Sequence, residues 1–299
     1  MSRETEKIFK DLGKHLSDKE IKSDEDYDKA TREFMDMYNS KAPKKKGKDA
    51  WDFLDMAYEA ESEQDALKYA KKALQLDKNC LDAEVMIVEL TATDIEDLKL
   101  KYEKLITKTE NYLKGADIMI DENIGHFWGI VETRPYMRLR YSYVNLLIDQ
   151  GKFKMAIKEC EELLVLSEND NLGARYKLFS LYAFLEDEVN VSKLYKRYKE
   201  EPSSQMLLAV IALYYKLDNY KKAESYLKKL CAINKEVAEV FGDVEGIDAM
   251  EIQDVIESGM YRHGGKEELM VAMFDSGFLY TTTSGLLLWI AERVTKKTQ

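Results

Sequence analysis

The chain has 299 residues, 45% of them hydrophobic, and carries 45 Lys and Arg against 56 Asp and Glu, a net charge of −11. So much apolar material excludes a disordered tail, and the acidic balance gives a whole-molecule field that repels nucleic acid and anionic membranes. Only 3 prolines and 14 glycines interrupt a sequence rich in Lys, Glu, Leu and Ala, which predicts many short helices and an all-α fold.

In chain order, residues 1–40 are expected to form an N-terminal helical appendage of two short helices separated by the acidic stretch Asp18–Asp28. Ile8, Phe9, Leu12 and Leu16 make one apolar face, and Tyr27, Ala30, Phe34, Met37 and Tyr38 another. The opening MSRETEKIFKDLGKH lacks the apolar run of a signal peptide, and no segment approaches the roughly 20 apolar residues that span a bilayer. A cytoplasmic protein with no membrane partner is therefore expected. Residues 41–48, KAPKKKGK, break all periodicity and read as a Lys-rich linker; a nuclear-address or nucleic-acid patch is the alternative, disfavoured by the acidic surroundings.

From Asp49 a pattern begins that returns. ALKYAKKALQLDKN places Ala66, Ala70, Ala73, Leu74 and Leu76 at helical spacing after a shorter helix carrying Trp51, Leu54, Ala57 and Tyr58. AIKECEELLVLSEND puts Ala156, Cys160, Leu163, Leu164 and Leu166 in the same slots, and AESYLKKLCAIN does so with Ala223, Leu227, Leu230, Cys231 and Ile233. The interval from Ala156 to Ala223 leaves room for a degenerate repeat through Val191, Tyr195 and Tyr198, at about 34 residues per repeat. A weak repeat through Leu98, Tyr102 and Leu105 fills residues 82–113. The segments DQGKFKMA and KLDNYKKA signal turns before two of the second helices. About five helix pairs are thus expected over residues 49–235. The last stretch, 236–299, abandons the repeat: EVFGDVEGID and RHGGK read as loops, Leu269, Met270, Met273, Phe274 and Phe278 as an amphipathic helix, and the whole as a C-terminal helical cap over the last apolar face.

The small-small-leucine register of these second helices resembles the tetratricopeptide repeat superfamily over about two thirds of the chain. The resemblance implies a right-handed helical solenoid whose first helices, the A helices, line a concave groove. The segment from Ile124 to Leu178, with ETRPYMR at residues 132–138 and NDN at 169–171, is similar to bacterial tetratricopeptide proteins grouped with the suppressor-of-tumorigenicity family. So is GKEELMVAMFDSGFLYTTTSGLLLWI, residues 265–290. The chain departs from that group where TTTSGLLLWI lacks an expected proline before the glycine, and it lacks the membrane spans of the eukaryotic relatives. The resemblance implies no particular activity.

Chemistry-bearing motifs are sparse. His15, His126 and His263 stand apart from one another and from Cys80, Cys160 and Cys231, and no metal-binding, nucleophile or phosphate-loop motif occurs. No metal, no cofactor and no enzymatic activity are expected, a hydrolase or transferase with an unrecognised site being the remote rival. The concentration of cationic and aromatic groups between Gly125 and Arg140 is the exception. Pro135 suits a first helical turn with Thr133 as N-cap, and Arg134, Arg138 and Tyr141 then share a face beside a stripe of Met137, Arg140 and Val144.

Trp128, Arg134, Tyr136, Arg138, Arg140, Asn145 and Arg175 are the candidate partner-binding residues, because guanidinium forks grip carboxylates and phosphates bidentately. The bland alternative is that Glu132 pairs with Arg134 or Arg138 and the cluster docks the insertion 115–133. Asn145 resembles a position of the carboxylate-clamp subset, but the accompanying Asn and Lys positions hold other residues. Trp51, Trp289 and most A-helix tyrosines read as packing residues. The function expected is a non-catalytic adaptor or scaffold binding a protein or peptide in the solenoid groove, an acidic one being among the options. The alternative is a small-molecule or peptide-signal receptor that changes conformation on binding.

Overall fold

The computed structural model describes residues 3–40, 49–242, 249–258, 261–283 and 285–295. The Lys-rich segment 41–48 lies outside the described residues, as do residues 243–248 of the expected loop and Ser284. Among the described residues every regular element is helical, and the only β-type pairing is an isolated antiparallel bridge between His126 and Ser167. The chain divides into two compact units: Met1–Lys152 with Val165–Asn171, and Phe153–Leu164 with Leu172–Gln299.

The first unit contains α1 (Arg3–Ser17), α2 (Asp24–Asn39), α3 (Ala50–Tyr58), α4 (Glu63–Leu76), α5 (Leu81–Thr91), α6 (Ile95–Gly115) and α7 (Arg134–Asp149). Four of these begin the same way. The side chains of Ser23, Asp49, Ser62 and Asp94 accept the backbone N–H of Asp26, Asp52, Asp65 and Asp97, satisfying an otherwise orphaned donor. The aspartates themselves place negative charge at the positive end of each helix dipole. The repeat alanines serve close approach: Ala57, Ala70, Ala73 and Ala83 are buried with Phe53 and Leu54 where α3, α4 and α5 meet. Residues 116–133 after α6 form short 3-10 turns at Asp121–Asn123, Phe127–Gly129 and Val131–Thr133. They are anchored by Phe127, fully buried beside Tyr136, and by the Glu168 N–H donating to the Gly125 carbonyl at 2.9 Å.

The stretch expected as an appendage is built into this unit. Helix α2 packs on α1, the Phe34 ring lying tilted at 5.6 Å from that of His15, while Lys7 of α1 reaches Asp49 and Asp52 at the start of α3. Periodicity alone could place the two helices, but their long-range partners leave no trace in a local pattern.

The second unit begins with most of α8 (Phe153–Leu166), whose last two residues belong to the first. It continues through α9 (Ala174–Phe184), α10 (Glu188–Tyr198), α11 (Ser204–Lys216), α12 (Tyr220–Ile233), α13 (Val237–Gly242), α14 (Ala249–Ser258), α15 (Lys266–Asp275), α16 (Gly277–Thr282) and α17 (Leu286–Thr295). Ten helices, α3 to α12, follow one another between residues 50 and 233, and α3 packs on α4, α5 on α6, α9 on α10 and α11 on α12. Three of the intervening turns, at Gly151, Glu186 and Asp218, share one device: a left-handed residue just past the helix, with φ of 68°, 59° and 54°. The following N–H reaches back to Leu147, Tyr182 and Tyr214 at 2.8, 2.9 and 2.8 Å. Glycine takes that conformation freely, whereas Glu186 and Asp218 hold it against side-chain sterics.

Helix α11 has no solvent face from Ser204 to Tyr214, and α9 is buried from Lys177 to Ala183. Neighbouring α9 and α12 cover part of α11, and the C-terminal region covers more of it. Helices α15 and α16 pack on α11, and α16 on α9. Buried polar contacts fix them there: Ser180 to Ser276 at 2.6 Å, Lys177 Nζ to the Asp275 carbonyl at 2.9 Å, and Ser204 Oγ to Glu268 Oε2 at 2.7 Å. Phe153, Phe184 and Phe278 form an aromatic cluster with ring centroids 4.5 to 5.6 Å apart.

Candidate functional site: the arginine face of α7

Helix α7 begins as expected at Arg134 with Pro135 in its first turn, but Thr133 does not cap it through its side chain. The Thr133 hydroxyl donates instead to the carbonyls of Phe127 and Ile130, tying the preceding 3-10 turns to the helix start. That contact fixes Trp128, half-buried, whose carbonyl accepts from Arg134 Nε at 2.8 Å and whose ring lies 5.7 Å from the Arg134 guanidinium.

The arginines are largely internal. Arg134 is 4% exposed and Arg140 6%. Arg138 grips Asp82 of α5 bidentately, with Nε to Oδ1 at 3.1 Å and Nη2 to Oδ2 at 2.6 Å, while its Nη1 donates to Glu6 Oε1 of α1 at 2.8 Å. Arg134 approaches the same Glu6 oxygen at 3.8 Å. Burial opposes the charge on Arg138, but the two carboxylates outweigh it and its pKa is raised, so the guanidinium is charged at any pH the fold survives. The acids that pair with this face are thus Glu6 and Asp82; Glu132, the partner suggested by sequence proximity, is exposed on the surface.

The other candidates separate. Arg140 donates to the Tyr136 hydroxyl at 3.2 Å, and Tyr136, fully buried, donates in turn to Glu110 of α6 at 2.7 Å. These two residues bind α7 to α6 inside the unit. Asn145 is half-buried farther along α7. Arg175 belongs to the second unit, where its guanidinium lies 4.6 and 5.0 Å from the rings of Tyr176 and Tyr198 and donates to the Tyr176 hydroxyl at 2.8 Å. It borders an open cleft of about 370 Å³ with Ser203, His263 and the buried carboxylate of Glu268.

Residues that the sequence did not single out complete the face. Lys7 bonds Asp52 at 2.6 Å and Asp49 at 3.3 Å, and its pKa is raised because those carboxylates overcome the effect of burial. Lys10 reaches Asp77 at 3.5 Å and stands 5.5 Å from the Trp51 ring centre. Glu6 and Arg138 are 132 positions apart, and apolar-face reading of α1 points to Ile8, Phe9, Leu12 and Leu16 instead. The first-turn acids Asp52 and Asp82 could have been noticed as buried candidates, but an acid there has the ordinary reading of a dipole partner.

Among the described residues no three His, Cys, Asp or Glu side chains gather as a metal site would require, and no helix is long and apolar enough to cross a membrane. Cys80, beside the cavity under Lys10, has its thiol pKa pushed up to about 11, chiefly by burial, and is therefore almost entirely protonated at neutral pH. Comparison with known protein families and with curated proteins finds no family model and no curated sequence that matches this chain.

Proposed function

We propose that this protein is a non-catalytic adaptor of the tetratricopeptide-like helical-repeat class, binding a protein or peptide partner on the face formed by α3, α5 and α7. The observation that carries the reading is that α3 and α7 already hold one charged helix, α1, through Asp52, Arg134 and Arg138, with Asp82 of α5 gripping Arg138 from the other side. The repeat register of the alanines, the packing of α3 on α4, α5 on α6, α9 on α10 and α11 on α12, and the shared left-handed turns support a solenoid built as the resemblance implies. A site made of fixed ion pairs suits recognition better than proton transfer, because its cations Lys7 and Arg138 have raised pKa values, away from the neutral range that acid–base chemistry requires.

The test is native co-purification followed by hydrogen exchange of the complex. A stoichiometric partner that protects α3, α5 and α7 supports the adaptor; protection confined to α4 and α6 removes it. The receptor reading is favoured by the cleft beside Arg175, whose size of about 370 Å³ falls in the range of small-ligand sites. A low-molecular-weight compound carried through purification, released on unfolding and raising the melting temperature when added back, would select that reading instead.

A further inference from the structure

Helix α1 is held in an unusual way for an amphipathic helix. Such a helix is ordinarily fixed by its apolar stripe, each fully buried Leu, Ile or Phe contributing about 1.5–3 kcal/mol. None of Ile8, Phe9, Leu12 and Leu16 is fully buried, and Phe9 is 43% exposed. An open groove of about 520 Å³ runs between these side chains and Gly129–Glu132. A second cavity, about 220 Å³, lies under Lys10 beside Trp51, Leu54, Tyr112 and Pro135. Between Thr5 and Ser17 the one fully buried residue is Glu6, at 1% exposure, and its Oε2 has no hydrogen-bonding partner among the described residues. A buried carboxylate satisfied through one oxygen gives little net stability, because its desolvation offsets much of the ionic attraction.

What α1 does possess is a register of charge. Glu6 meets Arg138 and Arg134, Lys7 meets Asp52 and Asp49, and Lys10 meets Asp77 beside the Trp51 ring. The face therefore reads an acid followed by bases one and four positions later, and it reads them from a helix, since helical spacing brings positions 6, 7 and 10 toward one side whereas a strand would turn position 7 away.

We infer that α1 is the internal occupant of the recognition face, and that the partner is an amphipathic helix with a glutamate followed by lysines at the first and fourth positions after it, which binds by displacing α1. The inference rests on the adaptor reading and supplies its partner class. An external helix gains over α1 wherever it fills the groove beside Phe9 with larger apolar side chains or brings a donor to the second carboxylate oxygen. Its own helix-forming cost is met on docking.

The probe is a fluorescently labelled peptide with the sequence of residues 3–17, titrated into the full chain and into its Glu6→Lys variant. In the variant a lysine faces Arg134 and Arg138 and α1 is expelled. If α1 occupies the face about 90% of the time, the peptide is expected to bind the variant about tenfold tighter than the unsubstituted chain. The same peptide carrying Glu6→Ala is expected to lose binding. Equal affinity for both chains overturns the internal-occupant inference and leaves the adaptor reading standing. Absence of binding to either chain, or binding indifferent to the peptide's glutamate, overturns both. Should Glu6→Lys fail to fold, hydrogen exchange on the unsubstituted chain decides. The amides of α1 are expected to exchange faster than those of α7, and faster again in about 1 M salt, where the Debye length falls to about 3 Å. Protection of α1 equal to that of α7 and indifferent to salt overturns the inference.

Discussion

Arg138 joins three helices through one guanidinium: it sits on α7, holds Asp82 of α5 with two bonds and takes Glu6 of α1 with a third. Arg175 has a different environment, lying against two tyrosine rings at the edge of an open cleft. Their glutamine variants should therefore behave differently, although the sequence presents them as equivalent arginines of successive first helices. Arg138→Gln leaves Asp82 without the two guanidinium bonds and is expected to cost about 1–3 kcal/mol, whereas Arg175→Gln loses stacking contacts of about 0.5–1 kcal/mol. Urea denaturation of the two single variants checks this, and an unchanged midpoint for Arg138→Gln would show that its ion pairs carry no structural weight. The sequence correctly gathered Arg134, Arg138 and aromatic neighbours on one segment. It could not show that they face inward, because the acids that draw them in come from α1 and α5.

At the scale of the element, the helices were legible in proportion to how far their burial follows a stripe. Helices α3, α4 and α12 announce themselves by small residues at fixed spacing, and the turn after α11 by Asp218 and Asn219. Helix α11 was legible as a helix but not as a wholly enclosed one, since the residues that cover it arrive more than fifty positions later in α15 and α16. Helix α1 is the reverse case, a well-marked apolar stripe whose members stay partly exposed. The contrast predicts unequal penalties. Ile211→Ala in α11 removes a fully buried side chain and is expected to cost about 2–5 kcal/mol. Leu12→Ala in α1, beside an open groove, is expected to cost less than about 1 kcal/mol, having little cavity to create. Thermal or urea unfolding of the pair measures the difference, and comparable losses would mean that α1 is docked by its apolar face after all.

Over the whole molecule, the tyrosines link both units to alkaline pH. Tyr102 and Tyr136 in the first unit, and Tyr182 and Tyr280 in the second, have raised phenol pKa values. Burial is the first cause in all four. The carboxylates of Glu89, Glu110 and Glu161, which accept from the first three hydroxyls, add to it. A phenol whose pKa is raised on folding contributes stability that is complete below the unfolded value of about 10 and is lost as pH rises beyond it. Titration followed by tyrosinate absorbance and by circular dichroism is expected to show Tyr102, Tyr136, Tyr182 and Tyr280 ionising only as helicity disappears. Ionisation of all 19 tyrosines in one step near pH 10 with no loss of helix would contradict the burial described for them.

The enclosure of α11 also bears on how the chain is made. A ribosome releases residues 204–214 well before it has synthesised Lys266–Thr282, which cover them. For several seconds at about 5–20 residues per second, the nascent second unit carries α11 packed against α9 and α12 but with the flank that α15 and α16 cover still bare. The order of synthesis thus sets a window in which this segment depends on chaperone binding. Stalling translation before Lys266 should leave a chain that chaperones retain, and extending it past Thr282 should release it.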